Sequence, residues 1–469
     1  MSSSHDSWRP AWQSRLPGSS SVRFATVDGM DLLVKGGVVV TCDANNSVVT
    51  CDVLIRDGVI AAVGELEKTG LTRVLDATGC AVTPGFVQAH LHLCQVLFRG
   101  MADDMPLLDW LKQRIWPLEA AHNEASLGAS AELGLLEMML AGTTTILDMG
   151  TVRAHDAVFD ACARAGIRAV SGKAMMDLGD GVPAGLREST RASLEESERL
   201  AKQWHGSFNG RLRYAYAPRF ILSCSEALVR GACERAKQAD LLVHTHAAEH
   251  PGEREAVRSL MGDDDVAVLR KWGVSGPRAI LAHGVQLTDE EATQLAEEGT
   301  RVVHCPSANL KLGSGIARIA DLDRMGVQLA LGPDGAPCNN NMDPWVELRH
   351  AALLAKVRTG VSTLPAKRAF RLATIDGARA LGIDEVTGSL EVGKRADIVV
   401  TRLDTPHVEP GGDVFSKLVY GCQARDVVHV LCDGEVVVHA GEHQRLDREG
   451  VLARAREQAR ALVVRAQVI

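Results

Sequence analysis

The chain has 469 residues, 46% of them hydrophobic and 23% charged, with a formal net charge of −8. The length exceeds one small domain, and the composition is that of a globular enzyme rather than a fibrous or disordered chain. The negative charge and the lack of any lysine- or arginine-rich block exclude a nucleic-acid surface, and no apolar run is long enough to span a bilayer. Eleven cysteines without a CxxC pair read as reduced thiols, and no signal-peptide stretch opens the chain, so a cytoplasmic protein is expected.

Residues 1–28, rich in Ser, Arg and Pro and carrying Trp8 and Trp12, read as a flexible extension. Over 29–80 the short runs Leu32–Lys35, Val38–Val40, Val53–Ile55 and Val59–Ile60, separated by Gly, Asp and Asn, predict a small antiparallel sheet. Similar runs return over 387–442, at Ala396–Val400, Val427–Val430 and Val436–Val438. Both ends of the chain are therefore expected to build one accessory β-sandwich domain.

Between them, over 81–386, short apolar strands alternate with helical stretches such as Glu124–Ala141, Leu194–Trp204, Ser225–Ala239 and Glu290–Glu298. Eight strands are predicted: Val82–His92, Thr143–Gly150, Ile167–Met176, Leu212–Pro218, Leu241–His246, Ala279–Gly284, Arg301–Cys305 and Val327–Gly332. Eight strand–helix units without a glycine-rich nucleotide loop point to an α/β fold of the (β/α)8 TIM-barrel type. The stretch 443–469 has the composition of a C-terminal helix.

Side chains alternate along a strand, so His90 and His92, at the end of the first barrel strand, face the same way. Alone, the pair reads equally as half of a metal site or as a core histidine beside an exposed one. Barrel chemistry sits at the C-terminal strand ends, and the unusual polar residues gather there. His244, His246 and Glu249 close the fifth strand, His283 the sixth, His304 lies on the seventh, and Asp334 follows the eighth. His90, His92, His246 and Asp334 suit Zn2+ or Fe2+ with room for a water. Glu249 is placed to relay a proton, and His283 to orient the water. His244 lies deeper and reads as a core or supporting residue, and His304 stays open. His122, His155, His205, His350, His407 and His439 read as surface or helix positions.

These motifs, with Pro84–His92, Gly332–Gly335 and Gly388–Asp397, resemble the amidohydrolase superfamily from about Leu32 to His439. The resemblance is to its mononuclear aminohydrolase branch, because strand four (Tyr214–Pro218) lacks the lysine that binuclear relatives often use there. The segments Arg99–Asp104, Asp109–Leu111, Ile115–Glu119, Gly172–Asp177 and Asp334–Asn341 look like deaminases of 5'-modified adenosines. That resemblance implies hydrolysis of 5'-deoxyadenosine, the best fit, or of 5'-methylthioadenosine, S-adenosylhomocysteine or adenosine, to the inosine analogue and ammonia. It implies one divalent metal on His90, His92, His246 and Asp334, zinc before iron, with Glu249, His283 and Asp334 catalytic. Substrate contacts are expected from Glu119, Arg219, Glu249, Asp334 and Trp110: Glu119 matches a glutamate that accepts from the ribose hydroxyls, and Trp110 would wall the nucleoside. Arg219 stands where some relatives carry a purine-touching histidine and would donate to a ring nitrogen. A small-molecule substrate, no nucleic acid, no membrane and a homo-oligomer complete the expectation. The rival readings are a guanine, 8-oxoguanine, cytosine or s-triazine hydrolase, an amide-bond hydrolase, and a barrel without catalysis.

Overall fold

A computed structural model describes residues 31–66 and 72–468. The extension expected over 1–28 lies outside the described residues. The chain starts in an accessory sheet with β1 (Asp31–Val40), β2 (Val48–Arg56), β3 (Val59–Gly64), β4 (Thr72–Asp76) and β5 (Cys80–Pro84). It then enters the barrel as β6 (Phe86–Leu91), β7 (Thr143–Met149), β8 (Arg168–Gly172), the short β9 (Ala174–Met175), β10 (Leu212–Pro218), β11 (Leu242–Ala247), β12 (Ala279–His283), β13 (Arg301–His304) and β14 (Gln328–Leu331). It returns to the accessory sheet with β15 (Ile398–Arg402), β16 (Val427–Cys432), β17 (Glu435–His439) and β18 (Glu442–His443).

The eight long barrel strands run parallel in the order β6-β7-β8-β10-β11-β12-β13-β14. The seam between β14 and β6 is closed by the Asp334 N–H donating to His90 O at 3.2 Å. Val87, Leu147, Val170, Ala215, Leu242, Ile280, Val303 and Ala330, one from each of these strands, meet in one buried cluster that fills the barrel. This is the period-two alternation of a closed parallel sheet, apolar on the inside and covered by helices outside. The helices start where the sequence supplies caps. Thr288 accepts from Glu291 N–H, for example, while the Glu291 side chain answers to Thr288 N–H, and the helix Asp289–Glu298 begins there. The final helix, Arg448–Ala466, packs against the helix Glu124–Leu140.

Three expectations need correction. The predicted strand Val82–His92 is two strands, since residues up to Pro84 belong to the accessory sheet and the barrel begins at Phe86. Gly85 makes the transfer: its N–H donates to Asp397 O at 2.9 Å, and a Cβ there would fall 2.1 Å from Thr144 Oγ1. The predicted strand Ile167–Met176 is broken at Lys173, whose buried ammonium turns outward to Glu188 (2.5 Å) and Ser193 (3.1 Å). The N-terminal runs are not purely antiparallel. Leu32–Lys35 and Val38–Val40 are one bulged strand, β1, which pairs in parallel with β4 before the bulge and with β5 after it. Leu32, Val34 and Val39 from both halves share a small core with Ile398, Val400 and Leu431 from the far end of the chain.

Candidate active site

The C-terminal strand ends bring His90, His92, His246 and Asp334 together, with one ligand atom from each lying within 4.8 Å of all the others. His92 Nε2 is 3.2 Å from His246 Nε2 and 3.2 Å from Asp334 Oδ1, and His90 Nε2 is 3.3 Å from the same oxygen. The opposite ring nitrogens are committed elsewhere. His92 Nδ1–H donates to Met149 O (2.8 Å), and His246 Nδ1–H donates to Arg219 O (2.7 Å). His90 Nδ1 meets His244 Nε2 at 2.8 Å, so His244 supports His90 from below. Fixing Nδ1–H leaves each Nε2 lone pair pointing inward, the tautomer that binds a metal. His90 Nε2 is buried with no hydrogen-bond partner, a costly state that a cation at the centre would relieve. The donor set therefore fits a divalent cation.

Glu249 and His283 stand beside this cluster. His283 Nε2 lies 3.5 Å from Glu249 Oε2 and 3.9 Å from Asp334 Oδ2, while its Nδ1–H donates to Asn309 Oδ1 at 2.9 Å. Burial, and then the charge of Asp334, push the Glu249 carboxyl well above the usual range. Burial also works to raise Asp334, yet the surrounding imidazoles hold it well below. Burial lowers His90 to about 4 and pushes His246 and His244 well below the usual imidazole range. His283 (φ 78°) and Asp334 (φ 62°) both sit in the left-handed region, as does Ala248 (φ 52°). Such conformations persist only where surrounding structure enforces them, and here they aim two functional side chains inward.

His92, His246, Glu249, His283 and Asp334 share a pocket with Gln95, Leu107, Trp110, Leu111, Arg219 and Phe220. Leu107, Trp110 and Leu111 come from the helical segment 107–120, which covers the barrel mouth with apolar side chains. Glu119, from the same segment, is 2% exposed and lies against Arg219, whose two terminal nitrogens donate to its carboxylate at 2.5 and 3.1 Å. Arg219 thus commits two of its N–H groups to Glu119 while lining the pocket. His304 is buried but stands outside the four-donor cluster. His155, read as a surface or helix position, is 1% exposed: its Nε2–H donates to Ser171 Oγ (2.9 Å), and Ser171 donates to the buried Asp148 (2.6 Å). Asp148 in turn accepts from the N–H of Leu93, next to His92, at 2.8 Å. The sequence reading also passed over Gln95, Asn309 and Cys338, whose thiol lies 3.2 Å from Asp334 Oδ2. Gln95 and Cys338 stand three and four residues after candidate ligands, one turn away, and that spacing was the available signal.

A closed barrel with three imidazoles, an aspartate and a buried glutamate at its C-terminal rim defines a metal-dependent hydrolase. The chain belongs to the Amidohydrolase family, whose profile matches residues 81–437. It is 41% identical over 412 residues to a 5'-deoxyadenosine deaminase of Methanothermobacter thermautotrophicus, covering 87% of this chain and 94% of that one. It is 39% identical over 438 residues to a 5-methylthioadenosine/S-adenosylhomocysteine deaminase of Halobacterium salinarum, covering 93% and 99%. The fold matches an adenosine deaminase from Xanthomonas campestris with bound zinc at a TM-score of 0.87 and 32% identity, covering 93% and 99%. The donor cluster and that zinc-bound neighbour fit a single divalent cation, zinc, in this chain.

Proposed function

We propose that this protein hydrolytically deaminates a 5'-modified adenine nucleoside, 5'-deoxyadenosine foremost, to the inosine analogue and ammonia. The observation that carries the reading is that three of the four donors (His92, His246 and Asp334), Glu249 and His283 all line one pocket, walled on its other side by Leu107, Trp110, Leu111 and Phe220. His90, His92, His246 and Asp334 would hold the cation, which supplies Lewis-acid activation of the attacking water. Glu249 takes a proton from that water and delivers it to the ring nitrogen beside C6. Protonating the ring removes the negative charge that addition at C6 would otherwise leave there, which lowers the barrier. Burial raises the affinity of Glu249 for a proton, which suits it to take one from the water. His283, with Nδ1–H committed to Asn309, offers its Nε2 lone pair to the water and so orients it. Asp334 accepts the remaining hydroxyl proton and passes it to the departing amine. Trp110, Leu107 and Phe220 exclude bulk water from the pocket, and Arg219, held by the buried Glu119 behind it, forms a polar wall for the ribose.

The relatives named above act, by their names, on 5'-deoxyadenosine and on 5-methylthioadenosine or S-adenosylhomocysteine, which supports this substrate class. The test is kcat/KM for 5'-deoxyadenosine, 5'-methylthioadenosine, S-adenosylhomocysteine and adenosine, followed by loss of adenine absorbance. Turnover highest on 5'-deoxyadenosine is expected. Inactivity on all four, with activity on a free base or a triazine, would overturn the reading.

A further inference from the structure

The end of the barrel opposite the donor cluster concentrates positive charge in a chain whose net charge is −8. Arg213 is the second residue of β10, Arg278 immediately precedes β12, and Arg301 opens β13. All three therefore stand at N-terminal strand ends, one strand length, roughly 20 Å, from the donor cluster. They line one cavity of about 310 Å3, where Val170 and Leu242 of the barrel-filling cluster also reach. Arg278 is neutralised by Asp240, which lines the same cavity. The other two guanidiniums differ. Among the described residues neither makes an ion pair, and their hydrogen bonds go to backbone carbonyls. Arg213 Nε–H donates to Gly210 O at 3.4 Å, and Arg301 Nη1–H donates to Ala380 O at 2.9 Å. Arg301 Nε is buried with no hydrogen-bond partner. Burial pulls both guanidiniums below their usual pKa. The like charge of Arg168 adds to this at Arg213, and at Arg301 the opposing pull of Asp384, which pairs with Arg379, does not reverse it. Half-buried charges without a counter-ion are costly, and an anion in the cavity would relieve them.

We propose that this cavity is a binding site for a small phosphate-bearing molecule, held by Arg213 and Arg301. Two uncompensated guanidiniums offer two positive charges. A phosphate group brings about −1.5 to −2 charges and three acceptor oxygens at neutral pH, whereas a carboxylate brings one charge. The planar fork of arginine matches a phosphate face. His205, also on the cavity wall, accepts the Tyr214 N–H through Nδ1 at 3.2 Å, which places its ring proton on Nε2 as a further donor. The site lies apart from the donor cluster and does not depend on the deaminase reading.

The test is calorimetric titration of the metal-loaded protein with inorganic phosphate, at an ionic strength held constant with chloride. Saturable binding of one phosphate per chain is expected, together with a thermal midpoint that rises with phosphate and not with chloride. The double variant Arg213→Gln/Arg301→Gln should bind phosphate at least about tenfold more weakly and lose that rise. Its metal content and its kcat/KM on the nucleoside should match the parent, since neither residue touches the reaction pocket. Arg301→Gln gives up the bond to Ala380 O and can weaken the fold, so Arg213→Gln alone is measured as well, with the same direction of change expected. No saturable binding by the parent, an equal response to chloride, or binding undiminished in both variants would overturn the inference. The last of these would place the phosphate at the metal centre instead.

Discussion

His92, His246 and His283 each commit Nδ1–H to a fixed oxygen, so what each presents to the pocket is an unprotonated Nε2. Glu249 differs in kind: it holds none of the positions in the four-donor cluster, and its burial raises its affinity for a proton, which suits the relay proposed for it. Glu249→Gln should therefore keep about one metal per chain while kcat falls by about 10^2- to 10^4-fold, the usual worth of a positioned acid–base. Near-full activity with metal retained would remove Glu249 from its assigned role. His155 carries a different expectation. Burial lowers it to about 3, whereas an unfolded histidine titrates near 6.5. Between those values the unfolded chain binds more protons, so His155 costs nothing above about pH 6.5 and lowers stability as pH falls toward 3. His155→Gln should lessen the acid-induced loss of stability by up to about 1.4 kcal/mol per pH unit between pH 6 and pH 4, read from urea unfolding at several pH values. At this scale the sequence showed the candidate ligands because they fall at predicted strand ends. It did not show their partners: Met149 O and Arg219 O are backbone atoms that any residue supplies. Nor did local spacing show that Glu119 and Arg219, a hundred residues apart, are one ion pair.

The closing seam of the barrel ties an element to the site. Gly332, just past β14, runs so close to β6 that a Cβ would lie 2.5 Å from His90 O. The same stretch carries Asp334, so a displaced seam moves one ligand backbone against another. Gly332→Ala should cost about 1–3 kcal/mol, as overpacking does. It should also weaken retention of metal during dialysis, measured as metal per chain together with the thermal midpoint. A variant of unchanged stability that keeps its metal would show that the seam does not position the site. Strand identities were legible from alternating apolar runs, but the division of Val82–His92 was not. Ala81 to Val87 is apolar on both sides of Gly85, and no local pattern says that one half pairs with β15 and the other with β7. The parallel pairing of β1 was hidden likewise, because its two halves take different partners around a bulge.

Across the whole molecule, the barrel and the accessory sheet are joined by a buried charge cluster. Arg168, at the start of β8, donates to Asp397 at 2.8 and 3.3 Å and to Asp433 at 3.0 Å, and Arg395 adds a contact of 2.5 Å to Asp433. Removing one member leaves a buried charge uncompensated, so Arg168→Met should destabilise the protein by about 3–5 kcal/mol. If calorimetry instead shows only the accessory sheet melting early, the cluster does not couple the two sheets. The general architecture was readable because both chain ends carry β-like runs and the middle alternates strand with helix. Which residues join the two sheets was not, since Arg168, Asp397 and Asp433 are far apart in sequence and ordinary in type. No helix among the described residues is long and apolar enough to cross a membrane.

The central claim is that the four-donor cluster and Glu249 together deaminate an adenine nucleoside. The most direct measurement is ammonia and inosine-analogue formation from 5'-deoxyadenosine by chelator-treated protein, before and after one equivalent of zinc is restored. The account predicts negligible turnover without metal, and recovery that saturates near one zinc per chain and is lost in Glu249→Gln. Turnover that persists in the metal-free protein, or zinc-loaded protein that releases no ammonia from the nucleoside, would contradict it.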